Sequence, residues 1–172
     1  MPGYIFEGPD RSGKTTIACE IALRSNLQYF KNKAETQLFK KGGDTFKTQL
    51  EFCGPYLITL LEQLDFRGNG IVFDRLMPSE FAYSFAFDRE TNEDVIWWMD
   101  QKMADMGYKL VVCYKSFYNM WDDDVVKRQK VPLIIEGYRR YTKLTKMPHI
   151  TIDTMDEDLD AQIATILEEF KS

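Results

Sequence analysis

The sequence predicts an α/β domain: a central parallel sheet of about five strands, covered by helices on both faces. Three observations carry this. Short apolar runs alternate with longer segments of helical spacing along all 172 residues. A glycine-rich loop, residues 8–15, lies between the first apolar run and the first helical segment. Nothing reads as a repeat, a linker or a low-complexity tract, so residues 1–172 are expected to form one domain.

Each element has a local reason. Tyr4-Ile5-Phe6-Glu7 is a short apolar strand, and Lys14 to Arg24 has helical spacing. Leu27 to Phe30 reads as a second strand. Gly42-Gly43 breaks the chain, and Asp44 suits the start of a helix carrying Phe46, Leu50, Tyr56, Leu57, Leu60, Leu61 and Leu64, with a bend expected at Gly54-Pro55. Arg67-Gly68-Asn69-Gly70 is a turn before the strand Ile71-Val72-Phe73, which ends at Asp74. Pro78 begins a helix toward Phe87, and Thr91 or Asn92 begins another that stops near Gly107. Leu110 to Tyr114 is a fourth strand, followed by a charged stretch from Asn119 to Lys130. Pro132 to Thr145 reads as helix and Ile150 to Ile152 as a fifth strand. Asp156 or Asp158 opens a terminal helix with Leu159, Ile163, Ile166 and Phe170 on one face.

Composition narrows the classes. A net charge of −5 with scattered acidic residues argues against a nucleic-acid backbone as the main partner. Cys19, Cys53 and Cys113 form no disulfide or zinc spacing, which points to a reducing compartment and a cytoplasmic setting. The lone histidine, His149, leaves little scope for histidine catalysis and is expected to begin a strand. No apolar run approaches a membrane span, and the first strand begins at Tyr4, so neither membrane insertion nor a targeting extension is expected.

The chemistry begins at Gly8-Pro9-Asp10-Arg11-Ser12-Gly13-Lys14-Thr15, which fits G-x-x-x-x-G-K-[ST] at every fixed position. Gly8 and Gly13 let the backbone curl so that its N–H groups face phosphate oxygens. Lys14 supplies a point charge, and the Thr15 hydroxyl suits Mg²⁺. Ser12, Gly13, Thr15 and Thr16 open a helix whose positive end faces the same anion. In a parallel α/β sheet, ligands bind beyond the carboxyl ends of the strands. The loop, Asp74-Arg75 and the charged stretch after the fourth strand should therefore converge.

Phe6-Glu7-Gly8-Pro9-Asp10-Arg11-Ser12-Gly13-Lys14-Thr15-Thr16 resembles the opening of thymidylate kinases. Asp74-Arg75, Ser79 and Ala82-Tyr83 are similar to that family's second motif at the same internal spacing. Glu136-Gly137-Tyr138, Leu144 and Ile150 to Asp153 resemble it more loosely. The resemblance implies transfer of the γ-phosphate of ATP to a deoxypyrimidine nucleoside monophosphate, with Mg²⁺ as cofactor, by a homodimer. It implies Arg11 as the catalytic cation beside Lys14, with Lys127 and Arg128 on a lid of about residues 116–131 aiding ATP. Asp10 would accept a hydrogen bond from the acceptor's sugar, or else simply stabilise the loop. Arg75 would clamp the acceptor phosphate, with Ser79 near it. Asp74 would bind Mg²⁺ through water or orient Arg75. Tyr83 would face the acceptor's base or sugar, and Phe52 would stack on the base; core packing is the rival role of both. The aromatic surplus of Phe81, Phe85, Trp97 and Trp98 fits a dimer interface.

Two departures bear on specificity. Where the family carries an arginine for the acceptor phosphate, this chain reads Lys31-Asn32-Lys33-Ala34-Glu35-Thr36, so Lys31 or Lys33 is the candidate substitute. The family's base-binding arginine falls near Gly54, in Cys53-Gly54-Pro55-Tyr56. A pyrimidine carbonyl thereby loses its donor, and a different or modified base is expected. Two other classes stay open. One is a kinase of a nucleoside or polynucleotide 5′-hydroxyl, with Asp10, Asp74 or Glu35 as base. The other is a regulatory GTPase or a non-catalytic nucleotide-binding module, although outside the glycine-rich loop no Asp-x-x-Gly switch follows a strand and no Asn-Lys-x-Asp motif is present.

Overall fold

A computed structural model describes residues 3–32, 44–63, 70–116, 128–155 and 158–171; the side chains of residues 44–50, 52 and 128 lie outside the description. The strands are β1 (Tyr4–Glu7), β2 (Gln28–Lys31), β3 (Ile71–Asp74), β4 (Lys109–Tyr114) and β5 (His149–Asp153). The helices are α1 (Lys14–Arg24), α2 (Asp44–Gln63), α3 (Met77–Phe87), α4 (Glu93–Asp105), α5 (Val131–Thr142) and α6 (Leu159–Glu169). The five strands form one sheet in the order β2-β3-β1-β4-β5, with every pair parallel.

Alternation along the strands divides the core in two. Tyr4 and Phe6 of β1 point toward α1 and α6, packing with Ile17, Ile21, Ile163 and Ile166. Ile5 points the other way, toward Ile58 of α2, Met77 of α3, Met99 of α4 and Ile134 of α5. Both faces are covered, as the near-continuous apolar strands require.

Local chemistry sets the helix ends. The Asn92 side chain accepts from Val95 N at 3.2 Å and starts α4. Asp158 accepts from Ala161 N at 3.0 Å and starts α6. Pro55 sits inside α2, which continues through it as one element. Helix α5 stops at Thr142, short of the Thr145 expected from the sequence. The reason is tertiary. Buried Asp100 takes the Thr145 hydroxyl at 2.6 Å and Lys146 N at 2.7 Å, pulling the chain out of the helix.

Gly137 fixes how closely α5 crosses α3. A Cβ there would lie 2.7 Å from Ala82 Cα and 2.8 Å from its carbonyl oxygen. The aromatic surplus is largely absorbed within the chain. Phe81, Trp97 and Tyr141 form a cluster with centroid distances of 5.1–5.6 Å, and the Arg140 guanidinium lies 4.2 Å over Phe85. Trp98 remains 40% exposed on α4. Among the described residues no helix is long and apolar enough to cross a membrane.

Candidate active site

Carboxyl ends of β1, β3, β4 and β5 meet at the glycine-rich loop. Gly8, Arg11 and Gly13 have φ of 138°, 62° and 76°, which coils residues 8–13 into a concave turn before α1. Gly8 is required twice over, since a Cβ there would sit 2.0 Å from the Cys113 carbonyl oxygen of β4. From the far side, Thr154 after β5 donates its hydroxyl to the Ser12 carbonyl at 2.7 Å and so braces the loop. Ser12 Oγ is buried without a hydrogen-bond partner among the described residues, and no side chain caps α1. An anion seated in the loop would satisfy both deficits. Thr16 is exposed on the first turn of α1, and the Arg11 side chain is exposed at the loop's rim.

Lys14 is 6% exposed and turns back to donate to the Pro9 carbonyl at 3.2 Å, with Asp10 3.8 Å away. Burial and then the Arg75 guanidinium lower its ammonium to about 8, against the pull of Asp10, Asp74 and Glu7.

Asp74 ends β3 at 1% exposure. One of its oxygens accepts from Thr15 Oγ1 at 2.6 Å and Tyr29 OH at 2.9 Å, with Lys31 Nζ at 3.9 Å; the other is buried without a partner among the described residues. This hard-oxygen set fits Mg²⁺, which takes one or two protein oxygens and completes its shell with water and phosphates. No larger acidic or histidine cluster competes for a metal among the described residues.

Arg75 follows in the left-handed region, φ 73°, a strained backbone for a residue with a side chain. Its N–H donates to the Phe6 carbonyl at 2.9 Å, and its guanidinium is held from several sides. It donates to the Asp10 carboxylate, to Ser79 Oγ at 3.0 Å, to Tyr83 OH at 3.2 Å and to Tyr138 OH at 3.4 Å. The sequence left open whether Asp74 orients Arg75; the carboxylate bonded to it is Asp10, from the loop. Burial raises the Asp10 carboxyl, but Arg75 and then Lys14 outweigh it and hold it below its usual range. Tyr83 OH also donates to Asp10 at 3.3 Å, so its ring lies in the site and its hydroxyl is occupied there.

Three contributors had no site role assigned from the sequence, although Glu7 and Tyr138 stand in the motifs that carry the resemblance. Glu7 is fully buried and accepts from Leu76 N at 2.7 Å, from Ser79 Oγ and from Tyr138 OH at 3.1 Å. Burial raises its carboxyl, against Arg75 and these donors. Tyr138 and Thr154 complete the shell. Glu7 carried a signal, a charged residue inside an apolar strand just before the loop. Tyr138 and Thr154 reach the site only through tertiary packing.

A cavity of about 270 Å³ opens beside this cluster, lined by residues that include Phe30, Gly54, Leu57, Met77 and Glu80. Gly54 thus does lie at the cavity. Lys33, Glu35 and Lys127 lie outside the described residues, as does most of the expected lid; the side chains of Phe52 and Arg128 do too. Arg128–Lys130 form a short 3-10 turn, and Lys130 donates to the Ala86 carbonyl at the end of α3 at 2.9 Å.

No family model and no curated protein matches the chain. Solved structures do match over nearly its whole length. YorR from Bacillus subtilis, in complex with phosphorylated GDP, has a TM-score of 0.69 at 18% identity, over 98% of this chain and 95% of that one. Thymidylate kinase from Candida albicans gives 0.65 at 16%, over 99% and 92%. Deoxyadenosine kinase from M. mycoides with bound dATP gives 0.60 at 17%, over 99% and 100%. The sheet order, the glycine-rich loop and these matches give the chain the α/β fold shared by these solved structures, thymidylate and deoxyadenosine kinases among them, in a divergent sequence.

Proposed function

We propose that the chain transfers the γ-phosphoryl group of ATP to a deoxypyrimidine nucleoside monophosphate, with a base preference different from that of a thymidylate kinase. The observation that carries this is Arg75. A guanidinium held by Asp10, Ser79, Tyr83 and Tyr138 is tied to the glycine-rich loop through Asp10 and precedes Leu76 of the cavity wall, where an acceptor phosphate would meet the donor.

In this reading the loop amides from Gly8 to Thr16 and Lys14 bind the ATP phosphates, and Arg11 neutralises charge on the group in flight. Thr15 and Asp74 would hold Mg²⁺, which supplies charge neutralisation across the phosphate oxygens when bound. Arg75 and Ser79 orient the acceptor phosphate, while Asp10 and Tyr83 flank its sugar. Lys127 and Arg128 close over ATP, and Lys31 or Lys33 assists at the acceptor. Gly54 withholds the donor that a thymine carbonyl needs. The proposal includes a cytoplasmic homodimer; Trp98 on α4 supplies exposed apolar surface, and light scattering at micromolar concentration tests assembly, a monomer rejecting it.

A second reading has an observation of its own. The Asp10 side chain is 43% exposed and held toward its charged form by Arg75 and Lys14, which suits a base for a 5′-hydroxyl. One structural neighbour is named a deoxyadenosine kinase. An ATP-consumption screen over nucleosides, nucleoside monophosphates and short oligonucleotides separates the two. Activity confined to monophosphates is expected; activity confined to 5′-hydroxyls would replace the proposal with the second reading.

A further inference from the structure

We infer that Glu80 reads the acceptor's base, and that this base presents an exocyclic amine: a 4-amino pyrimidine of the cytosine type. The inference rests on the monophosphate kinase reading and narrows it.

Helix α3 carries two faces into the site. Ser79 and Tyr83, one turn apart, bond Arg75 on the phosphate side. Glu80 and Ser84, offset by one residue, bond each other, and Glu80 lines the 270 Å³ cavity. Glu80 is 3% exposed, so its carboxylate is a built part of the interior rather than a surface charge. Its Oε1 accepts from Ser84 at 2.8 Å, and its Oε2 faces Arg89 Nη2 at 3.4 Å. A carboxylate has about four lone-pair sites, so these two partners leave capacity for a ligand. Among the described lining residues, those other than Glu80, Asn32 and Cys53 are apolar or aromatic, and Gly54 adds no side chain to the wall.

A carboxylate accepts hydrogen bonds and donates none. Thymine and uracil present two carbonyl oxygens around a single N–H. A carbonyl turned toward Glu80 meets a like partial charge and offers the carboxylate's remaining lone pairs no donor. Cytosine replaces the 4-carbonyl by an amine, the donor that a Glu or Asp side chain accepts from cytosine in nucleic-acid recognition. Glu80 adds an acceptor to the cavity wall and Gly54 adds no side-chain donor, and both favour the amine.

The test uses the purified full chain with deoxycytidine, thymidine and deoxyuridine monophosphates. It compares kcat/KM with ATP and, separately, calorimetric binding without ATP. Deoxycytidine monophosphate should be preferred on the order of 10-fold or more, the range of one charge-assisted hydrogen bond. In Glu80→Gln the preference should largely collapse, because the amide offers a donor as well as an acceptor. The variant keeps the side chain's size and an acceptor for Ser84, and an unchanged melting temperature shows that it folds. Equal or better use of thymidine or deoxyuridine monophosphate by the native chain overturns the inference without any variant. So does an unchanged preference in folded Glu80→Gln. Cytosine-selective binding without turnover on any monophosphate would strike the proposed reaction and uphold the base reading.

Discussion

Lys14 makes nucleotide affinity depend on pH in a window where few side chains titrate. The perturbation is a rise from pH 7 to pH 9. In the ligand-free protein the ammonium sits at about 8. Its protonated fraction therefore falls from about 0.9 to about 0.1 across that range. Phosphate groups have already lost their second proton near pH 6, so the nucleotide changes little in this window. A bound polyphosphate favours the charged ammonium and returns it toward its ordinary 10.5. The complex thus holds more protons than the free protein, and affinity weakens as pH rises through the free value. The expected loss is about 10-fold between pH 7 and 9, with a ceiling of about 3 kcal/mol set by the gap between 8 and 10.5. Without ligand the sign for folding is opposite. A lysine lowered in the folded state makes the protein gain stability as pH rises from about 8 toward 10.5. The assay is calorimetric titration of a non-hydrolysable ATP analogue with Mg²⁺ at pH 7, 8 and 9, in two buffers of different ionisation enthalpy. Proton uptake should approach one per site near pH 9, an amount of order one fixed by a single titrating group. Lys14→Arg should flatten the profile, since a guanidinium does not titrate there. A flat profile in the native chain, with no proton uptake, would refute the reasoning.

Other expectations concern the same cluster. Lys14→Ala and Arg11→Ala should each reduce kcat on the order of 100-fold, as loss of a preorganised charge does; near-normal turnover in Arg11→Ala would move the role to Lys127 or Arg128. Arg75→Lys should raise KM for the acceptor roughly 10-fold or more while KM for ATP moves less, because an ammonium cannot replace a fork bonded to Asp10, Ser79 and Tyr83; equal effects on both substrates would contradict the acceptor role. Gly137→Ala should cost about 1–3 kcal/mol in denaturant unfolding, because its methyl would press on the Ala82 backbone. Turnover should fall with it as Tyr138 is pushed from Glu7, and an unaffected variant would show that α5 shifts freely.

What the sequence made legible was local. Strand, loop and helix around residues 4–24 follow from period and glycine placement, and side-chain chemistry narrowed each of two caps to a pair, Thr91 or Asn92 and Asp156 or Asp158, from which the structure takes Asn92 and Asp158. Asp74 and Arg75 were legible because they end an apolar strand in a parallel sheet. The partnerships were not. Asp10 and Arg75 are 65 residues apart, and Tyr138 joins them only because Gly137 lets α5 lie on α3. The Phe81–Trp97–Tyr141 cluster shows the same limit. A count of aromatic residues does not say whether they face a partner or one another. The end of α5 was misjudged because Asp100, on another helix, captures Thr145.

The central claim is that phosphoryl transfer ends on a phosphate rather than on a hydroxyl. The direct measurement supplies ATP labelled in its γ-phosphate with an equimolar mixture of deoxynucleosides and their 5′-monophosphates, then identifies the labelled product. The account predicts label in a deoxynucleoside diphosphate, lost in Arg75→Ala. Label in a nucleoside monophosphate, or only in inorganic phosphate, would contradict it.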